Sequence, residues 1–439
     1  MKKAVEMGSC NAKLVKRSMM TAFSVLAAGS ILSTSEVFAD STPTSQANRP
    51  VNYQTEATTA VQGLIGSYWN SSGNQFENTP GGSYTGNYWW EANGLYTLAD
   101  ADLATNSTAY SSYINHFIAG LQNQYGTQMY DSWNDDEGWL GIALMQAVRA
   151  KVTNLSTAFP VVPTTSSSMS SSSVPALVQD AEALQADIEN SWTSEGGITW
   201  DKPSAGPSWY NPYYRDTAAN MTDTILSTEL YAATHNESYL ADAKQVFDWE
   251  WNTLVLPTGG NVNGTNYQPG TVMDGVDWNP QTQQNTYPNG GTAQWTYNYG
   301  TVVGAAVELF KLTGDSTYLT DAKLVANAAI NQFAKANDVM AGVETGGGDG
   351  GLFKGIFMRY MIELLSLDRQ NQNLDNFIQT NLSSLWDNDQ TSTAGVFGNN
   401  WAGPAPSASS VDLTDELSAV MSLTHMATYQ HRPILALLP

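Results

Sequence analysis

Two stretches of this chain, LYAATHNESYLADAKQVF at Leu230–Phe247 and LFKLTGDSTYLTDAKLVA at Leu309–Ala326, align with each other without a gap. In each, a helical pattern closes on a polar turn. Asn236 or Asp315 stands where a helix cap is needed, and Tyr-Leu-x-Asp-Ala-Lys opens the next helix. A repeated helical hairpin cannot bury its apolar face alone, so such units stack into a solenoid or close into a ring. Helical periodicity recurs at 54–70, 88–104, 108–124, 137–152, 175–191 and 217–234. It returns at 238–253, 298–313, 317–334, 351–366, 370–384 and 412–428. These make about six hairpins, which predicts an all-α (α/α)6 toroid, with an open helical solenoid as the alternative. No alternating strand pattern competes with them. Segment 254–297, rich in Gly, Asn, Thr and Trp, reads as a long loop, and loops of that length within a compact domain are often functional.

The N-terminus reads as a secretory leader. A basic stretch is followed by the apolar run SMMTAFSVLAAGSIL and by Val37-Phe38-Ala39, a small-residue cleavage site before Asp40. A membrane anchor is the competing reading, but the run is short and broken by Ser and Gly. Residues 40–53 read as a flexible leader and 54–439 as one catalytic domain with a Ser-rich loop near 164–174. The expected product is a free extracellular protein and a monomer.

The formal net charge of −23 argues against nucleic acid or an anionic membrane as partner. The single cysteine, Cys10, precedes the apolar run of the leader, which leaves no disulfide and no thiolate metal site in the mature chain. His116, His235, His425 and His431 show no ligand spacing, so neither a metal nor another cofactor is expected. ETGGGDGGLFKG, at 344–355, lacks the Gly-Lys-Ser/Thr ending of a phosphate loop; it reads as a tight turn at a cleft mouth, with Asp349 facing ligand. No nucleophile elbow and no Cys/His pair is present.

The charged feature that remains is WNDDEGWLGIAL, from Trp133. Asn134 or Asp135 could cap a helix, and acids suit its first turn. A calcium loop fits poorly, because the acids do not alternate. The catalytic reading is concrete. Retaining glycosidases use two carboxyl groups about 5–5.5 Å apart, and neighbouring Cα atoms are about 3.8 Å apart, so Asp135 and Asp136 can bracket one anomeric carbon. Their repulsion, with Trp133 and Trp139 beside them, favours keeping one of the pair protonated. Aromatic residues next to amides or carboxylates recur in turns: NYWWEANG with Trp89 and Trp90, GGITWD, MDGVDWN with Asp274, WTYNYG with Tyr297 and Asn298, and FGNNWAGP with Trp401. Ring faces beside such polar groups are how proteins hold sugars, although many of these rings must serve the core.

NDDEGWLGIAL, WTYNYGTVVGAAVELFKLTGD, LFKGIFMRYM and FGNNWAGP, in that order, resemble glycoside hydrolase family 76, the endo-α-1,6-mannanases, from about Thr55 to Tyr429. The resemblance implies an (α/α)6 toroid and retaining hydrolysis of internal bonds in α-1,6-linked mannan or mannooligosaccharides, typical of yeast and fungal walls. It implies Asp135 as nucleophile and Asp136 as general acid/base. Trp89, Trp90, Trp133, Asn134, Asp274, Tyr297, Asn298, Asp349 and Trp401 would line the sugar site. Tyr299 stands where the family often has Gln, which touches subsite preference. Transfer of glycan on the same site, or mannan binding without turnover, are the alternative functions.

Overall fold

A computed structural model describes residues 51–84, 86–105, 107–155, 173–288 and 290–431. The expected secretory leader, nearly all of the flexible segment and most of the Ser-rich stretch lie outside the described residues. Twelve α-helices occur among the described residues: α1 (Tyr53–Tyr68), α2 (Tyr88–Thr105), α3 (Ser111–Tyr125), α4 (Asn134–Leu155), α5 (Ser173–Glu189) and α6 (Thr217–Thr234), then α7 (Glu237–Thr253), α8 (Thr296–Thr313), α9 (Ser316–Phe333), α10 (Asp349–Leu367), α11 (Gln372–Asn388) and α12 (Leu413–His431). All twelve fall where the periodicity places them. The repeated hairpins are α6–α7 and α8–α9, and their caps form as the sequence predicts. Asn236 accepts from the Ser238 N–H (3.2 Å) and Asp315 from the Thr317 N–H (2.9 Å). The preceding helices end on left-handed residues, His235 and Gly314.

The even-numbered helices pack on one another in the order α2, α4, α6, α8, α10, α12 and back to α2, closing a ring, while the odd-numbered helices pack outside it. This is the (α/α)6 toroid, and the open solenoid is excluded. The division is chemical. The inner helices are buried almost all round; in α6 every residue from Thr217 to Leu230 is buried. The outer helices bury one stripe, as in α11 with Leu374, Phe377, Ile378, Leu382 and Leu385.

Closure brings the six inner N-termini to one end. Toward the other end their C-terminal halves share ion pairs: Arg149 with Glu229 (2.8 Å), Lys311 with Glu308 (2.7 Å) and Glu363 (3.6 Å), and His425 with Asp100 (3.6 Å) and Glu363 (3.5 Å). Between the two ends the axis is filled by Arg359, 1% exposed. Its guanidinium lies 4.1 Å over the Tyr96 ring, 4.5 Å over Tyr360 and 5.7 Å over Trp139.

The region read as a loop at 254–297 differs from expectation, because it holds six short strands. These are β4 (Val255–Leu256), β5 (Gly260–Val262), β6 (Thr265–Tyr267), β7 (Thr271–Val272), β8 (Gly275–Asn279) and β9 (Gln284–Thr286). A hairpin of β1 (Trp69–Asn70) and β2 (Gln75–Phe76) follows α1, and β3 (Tyr214–Asp216) leads into α6. Strands of two to five residues are too short for alternation to register in sequence. β3, β8 and β9 form one antiparallel sheet beside the start of α6.

Candidate active site

The acidic motif opens α4, three residues earlier than the periodicity indicated, so Asp135 and Asp136 occupy its first turn. Asp135 is half-buried and Asp136 is 2% exposed. The positive end of the helix favours their charged forms. The turn is anchored from behind. The Asn134 N–H donates to the Trp200 carbonyl (2.9 Å), and the Asn134 amide donates to the Thr199 carbonyl (2.7 Å) and accepts from Ser191 (3.3 Å). Asn134, expected against substrate, is fully buried, and its side chain anchors the turn that carries the acids. Glu137 is likewise structural. It accepts from the Asp131 N–H (2.7 Å) and pairs with Lys202 (2.6 Å), while burial pushes its carboxyl up to about 7.

Across the mouth, Asp349 at the start of α10 accepts from both indoles of α2, Trp89 Nε1 (3.1 Å) and Trp90 Nε1 (2.9 Å). It therefore sets the angle of two aromatic walls. Phe353, one turn on, stacks on Tyr297 (4.2 Å between centroids) and lies 6.2 Å from Trp89, which in turn stands 6.4 Å from Trp139. These rings make a continuous apolar wall from α8 through α10 and α2 to α4.

The opposite side is polar. Asp274 accepts from Asn298 Nδ2 (2.9 Å) and from the Tyr214 hydroxyl (2.9 Å). Burial raises its carboxyl, against the lowering effect of those two donors. Next to it Asp216 caps α6, accepting from the Ala219 N–H (3.2 Å). Burial, then the charges of Asp135 and Asp274, push Asp216 well above the usual carboxylate range. Burial and the fields of Asp274, Asp216, Asp135 and Asp349 push the Tyr297 hydroxyl well up too, which places that ring among all four acids.

The structure thus gathers Trp89, Trp90, Asp135, Asp136, Asp274, Tyr297, Asn298 and Asp349 at one end of the ring, with Trp133, half-buried, immediately before the acid pair. Trp401 does not belong there. It is 0% exposed, and Lys354 Nζ sits 5.1 Å over its ring, so its indole face is closed to ligand. Three residues were missed by the sequence reading. Asp216 looks like an ordinary cap, which it also is. Tyr214 and Phe353 lie beside recognised motifs, but nothing in their own spacing marks them.

Two acids flanked by ring faces on one side and bound carboxylates on the other suit glycosyl transfer at an anomeric centre, where one carboxylate attacks or steadies positive charge and the other handles a proton. Comparison with known proteins agrees in class. The sequence profile of Glycosyl hydrolase family 76 matches residues 52–436. The mannan endo-1,6-alpha-mannosidase DCW1 of Candida glabrata is 27% identical over 306 residues, 66% of this chain and 61% of that protein. The mannan endo-1,6-alpha-mannosidase DFG5 of Saccharomyces cerevisiae is 25% identical over 290 residues, 64% of this chain and 56% of that protein. The chain spans 56% to 62% of the length of the first curated relatives it matches. Among solved structures, the GH76A alpha-1,6-mannanase from Salegentibacter sp. HEL1_6 superposes with a TM-score of 0.70 at 27% identity, over 86% of this chain and 100% of that one. An inactive variant of that enzyme, with two successive aspartates replaced by asparagine and bound to alpha-1,6-mannotriose, gives 0.69 at 26% identity over the same shares.

Proposed function

Since the chain belongs to glycosyl hydrolase family 76, we propose that it is a secreted retaining endo-α-1,6-mannanase, with Asp135 and Asp136 as its reacting pair. The observation that carries this is the pair of adjacent acids in the first turn of α4, at the end of the ring where Asp349 holds the Trp89 and Trp90 indoles, with the charge of Asp135 felt by Asp216 and Tyr297. The inactivity of the related mannanase when two successive aspartates are replaced supports it.

In the first step Asp135 Oδ forms a bond to C1 of the mannose as the C1–O6 bond breaks, and Asp136 gives its proton to the departing O6. In the second, water attacks C1, Asp136 takes back a proton, and the bond to Asp135 breaks with overall retention. The division of roles is the one that the resemblance to the family implies. Asp136 is 2% exposed, and half-buried Asp135 is the more accessible of the two to C1. Asp274, clamped by Tyr214 and Asn298, is placed to accept from sugar hydroxyls.

Incubation with linear α-1,6-mannan, product sizing and anomeric NMR test the reading: internal cleavage with α-anomeric products appearing first is expected, and β products first would refute retention. Asp135→Asn and Asp136→Asn should each lower turnover by about 10²–10⁴-fold or more with an unchanged melting curve. Full activity in either variant would remove that residue from the mechanism.

A further inference from the structure

The sheet beside the site has two unlike faces. Register puts Arg215 opposite Val276 and, by way of Trp278, Asn285 on one face. At the Arg215–Val276 register that face is packed, while Asn285 and Tyr213 further along it are exposed. Val276 is 0% exposed in a small core with Leu254 and Met273, and Arg215 donates to Asn285 (2.6 Å) and to the Gly196 carbonyl (2.9 Å). The other face carries one row of side chains in register across four segments. Trp200 lies opposite Tyr214, since Thr199 bridges to Arg215 and the Trp200 N–H donates to the Tyr214 carbonyl (3.1 Å). Tyr214 is opposite Asp277, and Asp277 opposite Thr286. With strands about 4.7–4.9 Å apart, this row spans about 14 Å, more than one hexose.

The row is joined to the site at two points. The Tyr214 hydroxyl reaches Asp274 across Gly275, where a Cβ would come within 2.5 Å of that hydroxyl. The Trp200 carbonyl holds the N–H of Asn134, the residue before the acid pair. Trp200 is half-buried and meets the Tyr214 ring edge to face at 6.2 Å and 88°. Asp277 is half-exposed and is set by Asn211 Nδ2 (2.9 Å), whose oxygen accepts from the Tyr213 N–H (3.0 Å). Two rings in line with a fixed carboxylate, all partly open to solvent, have the chemistry of a sugar platform.

We propose that this face is a distal binding position for neighbouring mannose units beyond the reacting bond. Trp200 is its stacking residue and Asp277 its hydroxyl acceptor, and together they set the preference for longer chains. The α-1,6 linkage has an extra rotatable bond, so an unheld chain loses much freedom on ordering. A platform one strand from the acid pair holds the neighbouring units in place.

The inference rests on the mannanase reading, and one experiment separates the two. Binding of α-1,6-mannooligosaccharides of increasing length is measured by calorimetry in the Asp135→Asn/Asp136→Asn protein, with and without Trp200→Ala. Long oligosaccharides are expected to bind about tenfold more weakly in the Trp200→Ala background, with the shortest binder unchanged. Trp200→Leu, which keeps apolar bulk without a ring face, should behave as Trp200→Ala does and guards against a folding defect. Tyr213→Ala, on the opposite face, should leave the length dependence intact. Equal loss at every length, or the same length effect from Tyr213→Ala, would overturn the platform. Absence of binding by any α-1,6-mannooligosaccharide before Trp200 is changed would overturn the substrate reading itself.

Discussion

Asp216 shows how a single residue can serve structure and chemistry together. It caps α6 through the Ala219 N–H, yet sits in the field of Asp135 and Asp274 and is pushed well above the usual carboxylate range by burial first. A folded pKa above the unfolded one means the folded state holds the extra proton. The stabilising contribution is complete below the unfolded value and is lost as pH rises toward the folded one. Asn is a neutral isostere and caps as well as Asp. Asp216→Asn should therefore melt at or above the parent temperature at pH 8, with the gap narrowing toward pH 4, whereas Asp216→Ala should cost about 1 kcal/mol through the lost cap. Calorimetric melts of the three proteins decide it: an Asn variant melting below the Ala variant would contradict this account. In the sequence, RDTAAN shows only a cap, because what makes Asp216 special is its distance from groups far along the chain.

At the scale of elements, the helices were legible and their contacts were not. Caps such as Asn236 and Asp315 act within three residues, so the sequence displays them whole. The inward-facing Trp401 packs under Lys354 of α10, far from it in sequence, and the strands around β8 depend on pairing with β3. FGNNWAGP therefore looked like the other aromatic turns although its indole faces the core. The acid motif does contain one packing signal, Gly138. A Cβ there would lie 2.2 Å from Thr222 Oγ1 and 2.5 Å from Thr222 Cβ, so α4 meets α6 closely just behind the acid pair. Gly138→Ala should force the two helices apart, lowering stability by about 1–3 kcal/mol and displacing Asp135 and Asp136 relative to Asp216 and Asp274. Chemical denaturation with parallel mannan hydrolysis would check this. Gly138→Ala paired with Thr222→Gly, which removes both contacting atoms, should recover much of the lost activity, with about 1 kcal/mol of stability still missing from the glycine inside α6.

For the whole molecule, closing a ring of buried helices strands many carboxyls away from water. Burial pushes Glu91, Glu137, Glu229 and Glu344 up to about 7 and Glu250 up to about 8. Glu363 goes the other way: burial opposes its charge, but Lys311, then His425, Arg149 and Arg359, bring it down. The raised groups outnumber it. Each contributes stability that is complete below the ordinary glutamate value of 4.5 and is lost as pH climbs through 7 to 8. Growing self-repulsion of a chain with formal charge −23 acts in the same direction. The melting temperature should therefore fall steadily between pH 5 and pH 9, and a rise over that interval would contradict the burial argument. None of this could be read from composition, which counts acids without saying which are enclosed.

Arg359 on the axis, with the ion pairs beyond it, leaves the ring no through-passage. A polymer therefore cannot be threaded in at one side and drawn out at the other. On the proposed reading, a mannan chain would reach the acid pair from the rim and leave by the same side.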